Sequence, residues 1–255
     1  MSRHVLRAPR FDLRHTLESG QFFRWPREDD GYLVHRGPHL FRIRQQGEML
    51  HYEGVDTDLV REFFALDHDL ASIVRVLRRD RKLWEALDAY PGLRILRQDP
   101  WECAAAFITS IASNIPRITG NVEDMARVYG SPVHLGEIES HAFPRPPGLK
   151  DEAGLRRLRL GFRASYLVQA ARLARSGIFE AIPPLSYEDA KESLQVIPGV
   201  AEKVADCILL YAYGRYRAFP IDVWVRRALV RRYFRGRRQP DRVLQRFSER
   251  FGPWA

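Results

Sequence analysis

The chain has 255 residues, of which 45% are hydrophobic and 29% are charged, a composition that argues against intrinsic disorder. The length allows one large domain or two modest ones. No apolar run approaches the roughly 18 residues that span a bilayer, and the basic N-terminus lacks the apolar stretch of a signal peptide. We therefore expect an intracellular protein with no membrane partner.

The two cysteines, Cys103 and Cys207, restrict the metal chemistry open to the chain. They are too few for a disulfide framework or for an iron–sulfur cluster held by four thiolates. Both lie in apolar surroundings, where a buried free thiol is the usual form.

The positive charge is concentrated in one late segment. Lysine and arginine total 41, aspartate and glutamate total 32, and residues 215–250 alone hold 12 arginines and three acids. The remaining chain therefore carries 29 charges of each sign. Such a segment attracts a polyanion, since arginine binds phosphate through two N–H groups. A solvated helix face in an arginine-rich protein explains the charge equally well.

Residues 11–66 contain short, partly alternating apolar stretches separated by turn residues, at 21–25, 32–35, 40–43 and 49–52. This pattern predicts a small antiparallel sheet. From about residue 58 the apolar spacing becomes helical. We predict helices over 99–112, 117–130, 155–176 with a break at Gly161, 186–196, 200–213, from 222 onward, and 241–251.

The fold class that follows is α+β. We expect an N-terminal antiparallel sheet domain with a short helical link over residues 1–95. A helical body over residues 96–255 would pack against it.

Residues 194–229 carry the most specific pattern, with a helix, a Pro-Gly turn at 197–200 and a second helix. Lys203 is predicted to lie one turn into that second helix, with Cys207 four residues later on the same side. A partly desolvated lysine can attack an electrophilic carbon. A surface lysine with a buried stem is the ordinary alternative.

Asp222 is placed where the N-cap of the next helix is expected. A capping carboxylate at the positive end of a helix stays ionised and can stabilise positive charge developing on a sugar. Plain capping is the alternative, and the two roles are compatible.

The hairpin, lysine and aspartate together resemble the helix-hairpin-helix glycosylases. IPGVAEKVADC followed by FPIDVWV resembles more narrowly the 8-oxoguanine DNA glycosylases, with the hairpin over about 188–214 and a Pro/Asp loop over 218–222. Four further blocks resemble the same family in the same order: SGQFFRW at 19–25, LRQDPWECAAAFITS at 96–110, NIPRITGNVE at 114–123 and LRLGFRASYL at 158–167.

The resemblance implies a base-excision repair enzyme that acts on double-stranded DNA containing 8-oxoguanine, opposite cytosine, as a monomer. Lys203 would attack C1′ of the flipped nucleotide and form a Schiff base, and β-elimination would then nick the strand. Asp222 would be its electrostatic and proton-handling partner. No organic cofactor is needed, because the lysine supplies the covalent electron sink.

The resemblance also assigns the remaining site residues. The base would contact Gly20, Cys207 and Pro220, with the Gly20 carbonyl accepting the N7–H that only the oxidised base carries. Recognition of the base opposite the lesion, and insertion of a wedge into the space of the flipped base, are assigned to Arg117, Arg163, Phe162, Ala112 and Asn114. Phosphate binding is assigned to Gly199, Ala201, Val204 and Trp224. A monovalent cation is implied on the backbone carbonyls of Gln195, Ile197 and Val200.

The chain departs from the family pattern in five places. Ala112 replaces an asparagine that fills the space left by the flipped base, and Phe162 replaces a common tyrosine. Trp224 replaces a phosphate-binding histidine, and Ala201 replaces the second hairpin glycine. The sequence stops at FGPWA, where the family continues with a glutamine and an aromatic that grip the base, so we expect a truncated chain.

Three other functions fit parts of the pattern. A monofunctional glycosylase for alkylated bases would not need Lys203. A non-catalytic DNA-binding module would bind DNA without releasing a base. An RNA-binding protein would use the arginine-rich segment and prefer RNA in competition.

Overall fold

A four-stranded antiparallel sheet forms the N-terminal part of the computed structural model, which describes residues 3–254. Its strands, in the spatial order β1-β4-β3-β2, are β1 (Arg3–Arg7), β2 (Tyr32–Arg36), β3 (His39–Gln46) and β4 (Met49–Glu53). The tight turns at Gly37 and Gly47, both with positive φ, connect β2 to β3 and β3 to β4. The predicted antiparallel sheet is confirmed.

The strand predicted over 21–25 is wrong. This segment is extended but makes only irregular hydrogen bonds to β2, from Leu33 N–H to the Pro26 carbonyl and from His35 N–H to the Arg24 carbonyl. Phe22 and Phe23 are both buried, whereas a regular strand would place neighbouring side chains on opposite faces. The place of a fourth strand is taken by β1, which the sequence pattern did not predict.

Twelve α-helices follow or interrupt the sheet within the described residues. They are α1 (Leu13–Glu18), α2 (Thr57–Phe63), α3 (Leu70–Leu77), α4 (Trp84–Ala89), α5 (Pro100–Thr109), α6 (Ile115–Tyr129), α7 (Glu152–Arg157), α8 (Arg163–Arg175), α9 (Tyr187–Gln195), α10 (Glu202–Tyr213), α11 (Val223–Tyr233) and α12 (Asp241–Ser248). The α+β prediction is confirmed. No helix among residues 3–254 combines the length and the apolar character that crossing a membrane requires.

The last predicted helix, over 241–251, ends earlier than expected. After Ser248 the chain continues as a 3₁₀ segment, Glu249–Trp254, that contains a non-helical Gly252. Glycine in the left-handed region ends regular helix geometry, which explains the difference.

A second hairpin, which the sequence analysis missed, joins the helical body to the sheet. It consists of β5 (Pro132–Leu135) and β6 (Ile138–His141), and Leu135 packs with Leu33 and Leu40 of the sheet. The helical body therefore reaches across the sheet.

The largest apolar cluster lies around α5, whose residues are buried on all sides. The Asp99 carboxylate caps this helix by accepting the Glu102 N–H, and Pro100 occupies its first turn, as predicted. The opposing helix α10 buries a continuous run from Val204 to Leu210 against it. At about 25 cal/mol per Å² of apolar area, this contact is a large contribution to the stability of the body.

A buried polar cluster ties the sheet to the helical body through Arg24. Its guanidinium bonds to Glu123 at 3.1 Å, to the His141 carbonyl at 2.6 Å and to His35 at 3.2 Å, and lies 3.8 Å from Glu102. Burial raises the pKa of Glu102 from 4.5 to about 7, although the charge of Arg24 opposes the shift. Burial, with Arg24 adding to it, lowers the pKa of His35 to about 3.

We expect Glu102→Gln to reveal a pH-dependent term in stability. Because the pKa of Glu102 is raised in the folded state, its contribution is fully present below pH 4.5 and is lost as the pH rises through about 7. The unfolding free energy of the wild type minus that of the variant should therefore fall between pH 4.5 and about 7 in urea titrations. Glu137→Gln, at an exposed turn, controls for the charge change. A difference in unfolding free energy that stays constant between pH 4.5 and about 7 would contradict a raised pKa of Glu102.

Candidate active site

The hairpin between α9 and α10 presents the start of α10 to solvent. Gly199 has φ of +86°, and a β-carbon there would lie 2.6 Å from Cδ2 of Tyr166, so the turn requires glycine. The Val200 N–H donates to the Ile197 carbonyl at 2.9 Å and closes the turn. Ala201 caps α10 without a side-chain hydrogen bond. The first N–H groups of α10 are therefore open to an anion.

Lys203 is the second residue of α10, earlier than the sequence analysis placed it. Its side chain is half-buried, with Nζ 3.5 Å from Ser110 Oγ and 5.3 Å from the centre of the Phe107 ring. Phe107 in turn stacks on Tyr211, with ring centres 5.4 Å apart. An ammonium group over an aromatic face is attracted by the ring quadrupole. The amine is thus held at an aromatic edge of the core.

Cys207 is buried and lies four residues after Lys203 on α10. Burial raises the pKa of its thiol to about 12; the positive charge of Lys203 opposes this shift, and the negative charges of Asp206 and Asp222 add to it. Lys203 and Asp222, which are 19 residues apart in the sequence, thus shift the pKa of this thiol in opposite directions.

Asp222 caps α11, as the sequence predicts. Its carboxylate accepts the N–H groups of Trp224 at 2.8 Å and Val225 at 2.7 Å, through the same Oδ1 atom. The Pro220 carbonyl accepts the Asp222 N–H at 3.2 Å. A carboxylate with two backbone donors at a helix N-terminus is fixed in direction.

A second carboxylate beside the site was missed by the sequence analysis. Asp206 is buried, accepts from Tyr187 Oη at 2.6 Å and pairs with Lys191 at 3.1 Å. Burial raises its pKa, while the Tyr187 and Lys191 contacts oppose the shift. Its position next to Cys207 in VADC was the only available signal.

The residues assigned to the opposite base form a neighbouring cluster around Arg163. This arginine is buried, and its guanidinium donates to the carbonyls of Ile111 at 2.6 Å, Ala112 at 2.8 Å and Leu160 at 3.3 Å. Burial lowers its pKa, and the nearby Arg117 adds to the effect. Arg163 thus holds the loop after α5.

Phe162 precedes Arg163 and is 48% exposed, with its ring in edge contact with Tyr166. The Arg163 guanidinium lies 4.7 Å from the ring centre. A half-exposed aromatic ring that packs against a second ring is suited to insert between bases as a wedge.

Arg117 and Asn114 lie at the start of α6. The Asn114 side chain caps this helix by accepting the Arg117 N–H at 3.1 Å, and the Arg117 guanidinium donates to the Arg159 carbonyl at 3.0 Å. Gly20, with φ of +84°, lies beside the same helix, since a β-carbon there would be 3.2 Å from Cδ1 of Ile115. No hydrogen bond in the described structure joins Gly20 or Pro220 to Lys203.

Two short connections join the residues around Lys203 to the residues around Arg163. Ser110 contacts Lys203, and two residues later the Ala112 carbonyl is held by Arg163. Ile111, between them, lies against the hairpin at Gly199. The sequence analysis missed Phe107 and Ser110, although both are part of the block at 96–110.

Trp224 and Val204, assigned to phosphate binding, differ in exposure. Trp224 is 71% exposed, and the Arg227 guanidinium lies 5.1 Å from its ring centre. The side chain of Val204 is buried, so only its backbone N–H can serve an anion.

The hairpin carbonyls assigned to a monovalent cation fit that role chemically. The Ile197 carbonyl accepts the Val200 N–H, and within residues 3–254 no hydrogen bond reaches the carbonyls of Gln195 or Val200. Backbone oxygens without donors are the ligands that hard cations prefer. No cluster of three His, Cys, Asp or Glu side chains in the described range could hold a metal ion.

An apolar cavity of about 380 Å³ lies apart from the lysine, between α3, α4 and the C-terminal 3₁₀ segment. Its lining includes Leu210 of α10, Tyr216 and Trp254 but neither Lys203 nor Asp222. The cavity is therefore separate from the surroundings of Lys203 and Asp222.

Comparison with known proteins gives the same family from two directions. The sequence model of the 8-oxoguanine DNA glycosylase N-terminal domain matches residues 5–104. A probable N-glycosylase/DNA lyase of Methanothermobacter thermautotrophicus is 32% identical over 94% of this chain and 88% of its own length.

Two solved structures are also similar over their length. MBOgg1 in complex with a low-affinity DNA ligand has a TM-score of 0.96 and 33% identity, over 100% of this chain and 91% of the other. The 8-oxoguanine glycosylase/lyase of Clostridium acetobutylicum, bound to double-stranded DNA with cytosine opposite 8-oxoguanine, has a TM-score of 0.91 and 29% identity, over 96% and 88%.

Replacing Ala112 by glycine should stabilise the protein. Ala112 has φ of +47°, which costs a residue with a β-carbon about 1 kcal/mol and costs glycine little. The greater freedom of glycine in the unfolded chain offsets part of this gain, so we expect about 0.5 kcal/mol in urea unfolding. Ala228→Gly, at an exposed position inside α11, should instead lose about 1 kcal/mol. Equal losses for both variants would contradict strain at Ala112.

Proposed function

The chain belongs to the 8-oxoguanine DNA glycosylase family, and we propose that it excises 8-oxoguanine from double-stranded DNA with Lys203 as nucleophile. The activity combines N-glycosylase and DNA lyase reactions. One observation carries the assignment of the nucleophile: the amine of Lys203 lies at the half-buried start of α10, 3.5 Å from Ser110 Oγ and 5.3 Å from the centre of the Phe107 ring.

The chain has four lysines, and their surroundings differ. Lys82 donates to the Arg232 carbonyl and lies over Tyr233, and Lys191 pairs with the buried Asp206. Lys150 is exposed. Lys203 contacts the Ser110 hydroxyl and the Phe107 ring and has no acidic partner within residues 3–254, which supports its selection as the amine that reacts.

In the proposed reaction the ammonium of Lys203 gives up a proton, which Asp222 handles, and the lone pair of Nζ forms a bond to C1′ of the flipped nucleotide. The electron pair of the C1′–N9 bond leaves with the base, which takes up this proton. The aminal then opens to a Schiff base, and loss of a C2′ proton expels the 3′ phosphate. The lysine acts as electron sink for the elimination, so no organic cofactor enters.

Asp222 is proposed to stabilise the positive charge that develops on the sugar as the base departs. Because its carboxylate is fixed by two N–H groups, it needs no reorganisation during the reaction. Gly20, Cys207 and Pro220 are proposed to contact the base. The buried thiol supplies an apolar surface, and a glycine carbonyl supplies the acceptor for N7–H.

On the other strand, Phe162 is proposed to fill the space of the flipped base, with Arg117 and Arg163 facing the cytosine and Ala112 and Asn114 beside them. Filling the unstacked step offsets part of a flipping cost of a few kcal/mol. Phosphate binding is proposed for the N–H groups at Gly199, Ala201 and Val204 and for Trp224. The carbonyls of Gln195, Ile197 and Val200 would hold a monovalent cation that supports the hairpin. We propose that the protein acts on chromosomal DNA inside the cell as a monomer.

Borohydride should trap a covalent adduct between the wild type and a duplex with 8-oxoguanine, because the Schiff base is reduced to a stable amine. Lys203→Gln should give no adduct on a denaturing gel, whereas Lys150→Gln should trap as the wild type does. Free base released by Lys203→Gln at the wild-type rate would contradict the mechanism and favour simple hydrolysis, as in a monofunctional glycosylase.

Asp222→Asn separates the chemical role of the carboxylate from capping. Asparagine caps helices as well as aspartate does, so the thermal midpoint should change little. Loss of the charge should slow single-turnover base release by about 100-fold. A variant that folds normally and retains the wild-type rate would remove Asp222 from the mechanism.

Duplexes with 8-oxoguanine opposite each of the four bases test the assignment of the opposite-base residues. We expect fastest excision opposite cytosine, and Arg117→Gln should reduce that preference by about tenfold, equivalent to about 1.4 kcal/mol. Arg127→Gln, at an exposed position later on α6, should leave the preference unchanged. Equal rates with all four bases in the wild type would contradict the proposed cytosine reading.

A further inference from the structure

Ten of the 12 arginines of residues 215–250 divide into two sets in the structure, and the other two, Arg242 and Arg246, are exposed on α12. One set is engaged by the protein itself: Arg226 pairs with Asp241, Arg232 with Glu85, Arg250 with Asp80 and Arg217 with Glu188, while Arg215 donates to the carbonyls of Pro183 and Leu185. These contacts hold α11 and α12 to the rest of the molecule.

The other set is directed to solvent and forms what we call the arginine band: Arg227, Arg231, Arg235, Arg237 and Arg238. All five are exposed, and none has an acidic partner within residues 3–254. Five like charges within 12 residues of the chain repel one another, and an anion bound to them would relieve this repulsion. That repulsion favours a ligand over a merely solvated surface.

The band begins at the proposed site. On α11, Trp224, Arg227 and Arg231 are spaced by three and four residues and so share one face, and the guanidinium of Arg227 lies against the Trp224 ring. Trp224 is two residues from Asp222. The helix of 11 residues is about 16 Å long, close to the rise of five base pairs of duplex, and the remaining arginines follow at its far end.

We propose that the arginine band binds the phosphate backbone of undamaged duplex beside the lesion and extends the DNA footprint beyond the hairpin. The proposal rests on the proposed function, because that function places duplex DNA at the start of α11. Guanidinium groups suit it, since each presents two N–H groups to a phosphate. The linear arrangement fits a regular polyanion better than a compact anion.

The salt dependence of binding tests the proposal. The probe is a duplex of roughly 25 base pairs with a central tetrahydrofuran abasic analogue, which is bound without being cleaved. Each lost phosphate contact makes the slope of log K against log salt shallower by about 0.9, so Arg231→Gln/Arg237→Gln should reduce it by about 1 to 2. Binding at about 0.1 M salt should weaken on the order of tenfold.

The matched control is Arg172→Gln/Arg175→Gln, which removes the same charge from exposed positions of α8. It should leave the slope near the wild-type value. Equal slope changes in the two pairs would overturn the proposal, because they would show a general charge effect. A larger loss of affinity for single-stranded RNA than for the duplex would overturn it in favour of an RNA surface.

Two further duplexes place the analogue about five base pairs from one end or from the other, so that one of them lacks the DNA that the arginine band would bind. On that duplex the salt-dependence slope of the wild type should be as shallow as the slope of Arg231→Gln/Arg237→Gln. Wild-type slopes that are unchanged on both duplexes would overturn the proposal. Failure of the proposed function is read separately, since it would appear as absence of the borohydride adduct in the wild type while these slopes still differ.

Discussion

The packing of α10 against α5 is the contact on which the site depends. Residues Val204 to Leu210 are buried almost without interruption, and the facing helix is buried all round. A helix buried in this way cannot rotate or slide without opening cavities, which cost about 1 kcal/mol for each lost methyl group. Lys203, one residue before the buried run, is therefore held at the edge of the core, beside Phe107 and Ser110.

Polar groups near this core are stabilised in different ways. Asp206 pairs with Lys191 and accepts a hydrogen bond from Tyr187, whereas the thiol of Cys207 stays protonated because burial raises its pKa. Asp222 is held by backbone N–H groups at a helix end instead of by a cation. Since no arginine or lysine is paired with Asp222 among the described residues, its charge remains available to a ligand.

The Arg24 cluster is a second set of contacts that fixes the sheet relative to the helical body. It joins the loop before β2, the helices α5 and α6, and the β5–β6 hairpin through one buried guanidinium. Removing one partner of such a buried network leaves the others without hydrogen bonds, which is more costly than removing an exposed pair. The sheet that carries the segment around Gly20 is thereby fixed relative to the body that carries Lys203.

Much of the local structure could be predicted from short-range signals. The predicted caps at Asp99, Ser186 and Asp222 mark helix starts because each side chain bonds an N–H two or three residues away. The cap at Asn114 was missed, and α6 begins two residues before the predicted start at 117. The helical spacing indicated the α10 face, and the turn residues indicated β2 to β4. The resemblance to the family then gave candidate site residues, including Lys203 and Asp222, whose roles remain predictions.

The sequence by itself thus determined most helices after residue 99 and three strands of the sheet, because these depend on neighbouring residues. Only the tertiary structure decided that β1 replaces the strand expected at 21–25, that Ser110 meets Lys203 across 93 residues, and that Arg163 binds the carbonyls of Ile111 and Ala112. Each of these contacts joins distant parts of the chain. Their energy depends on how the whole core closes, and a local pattern contains no information about that closure.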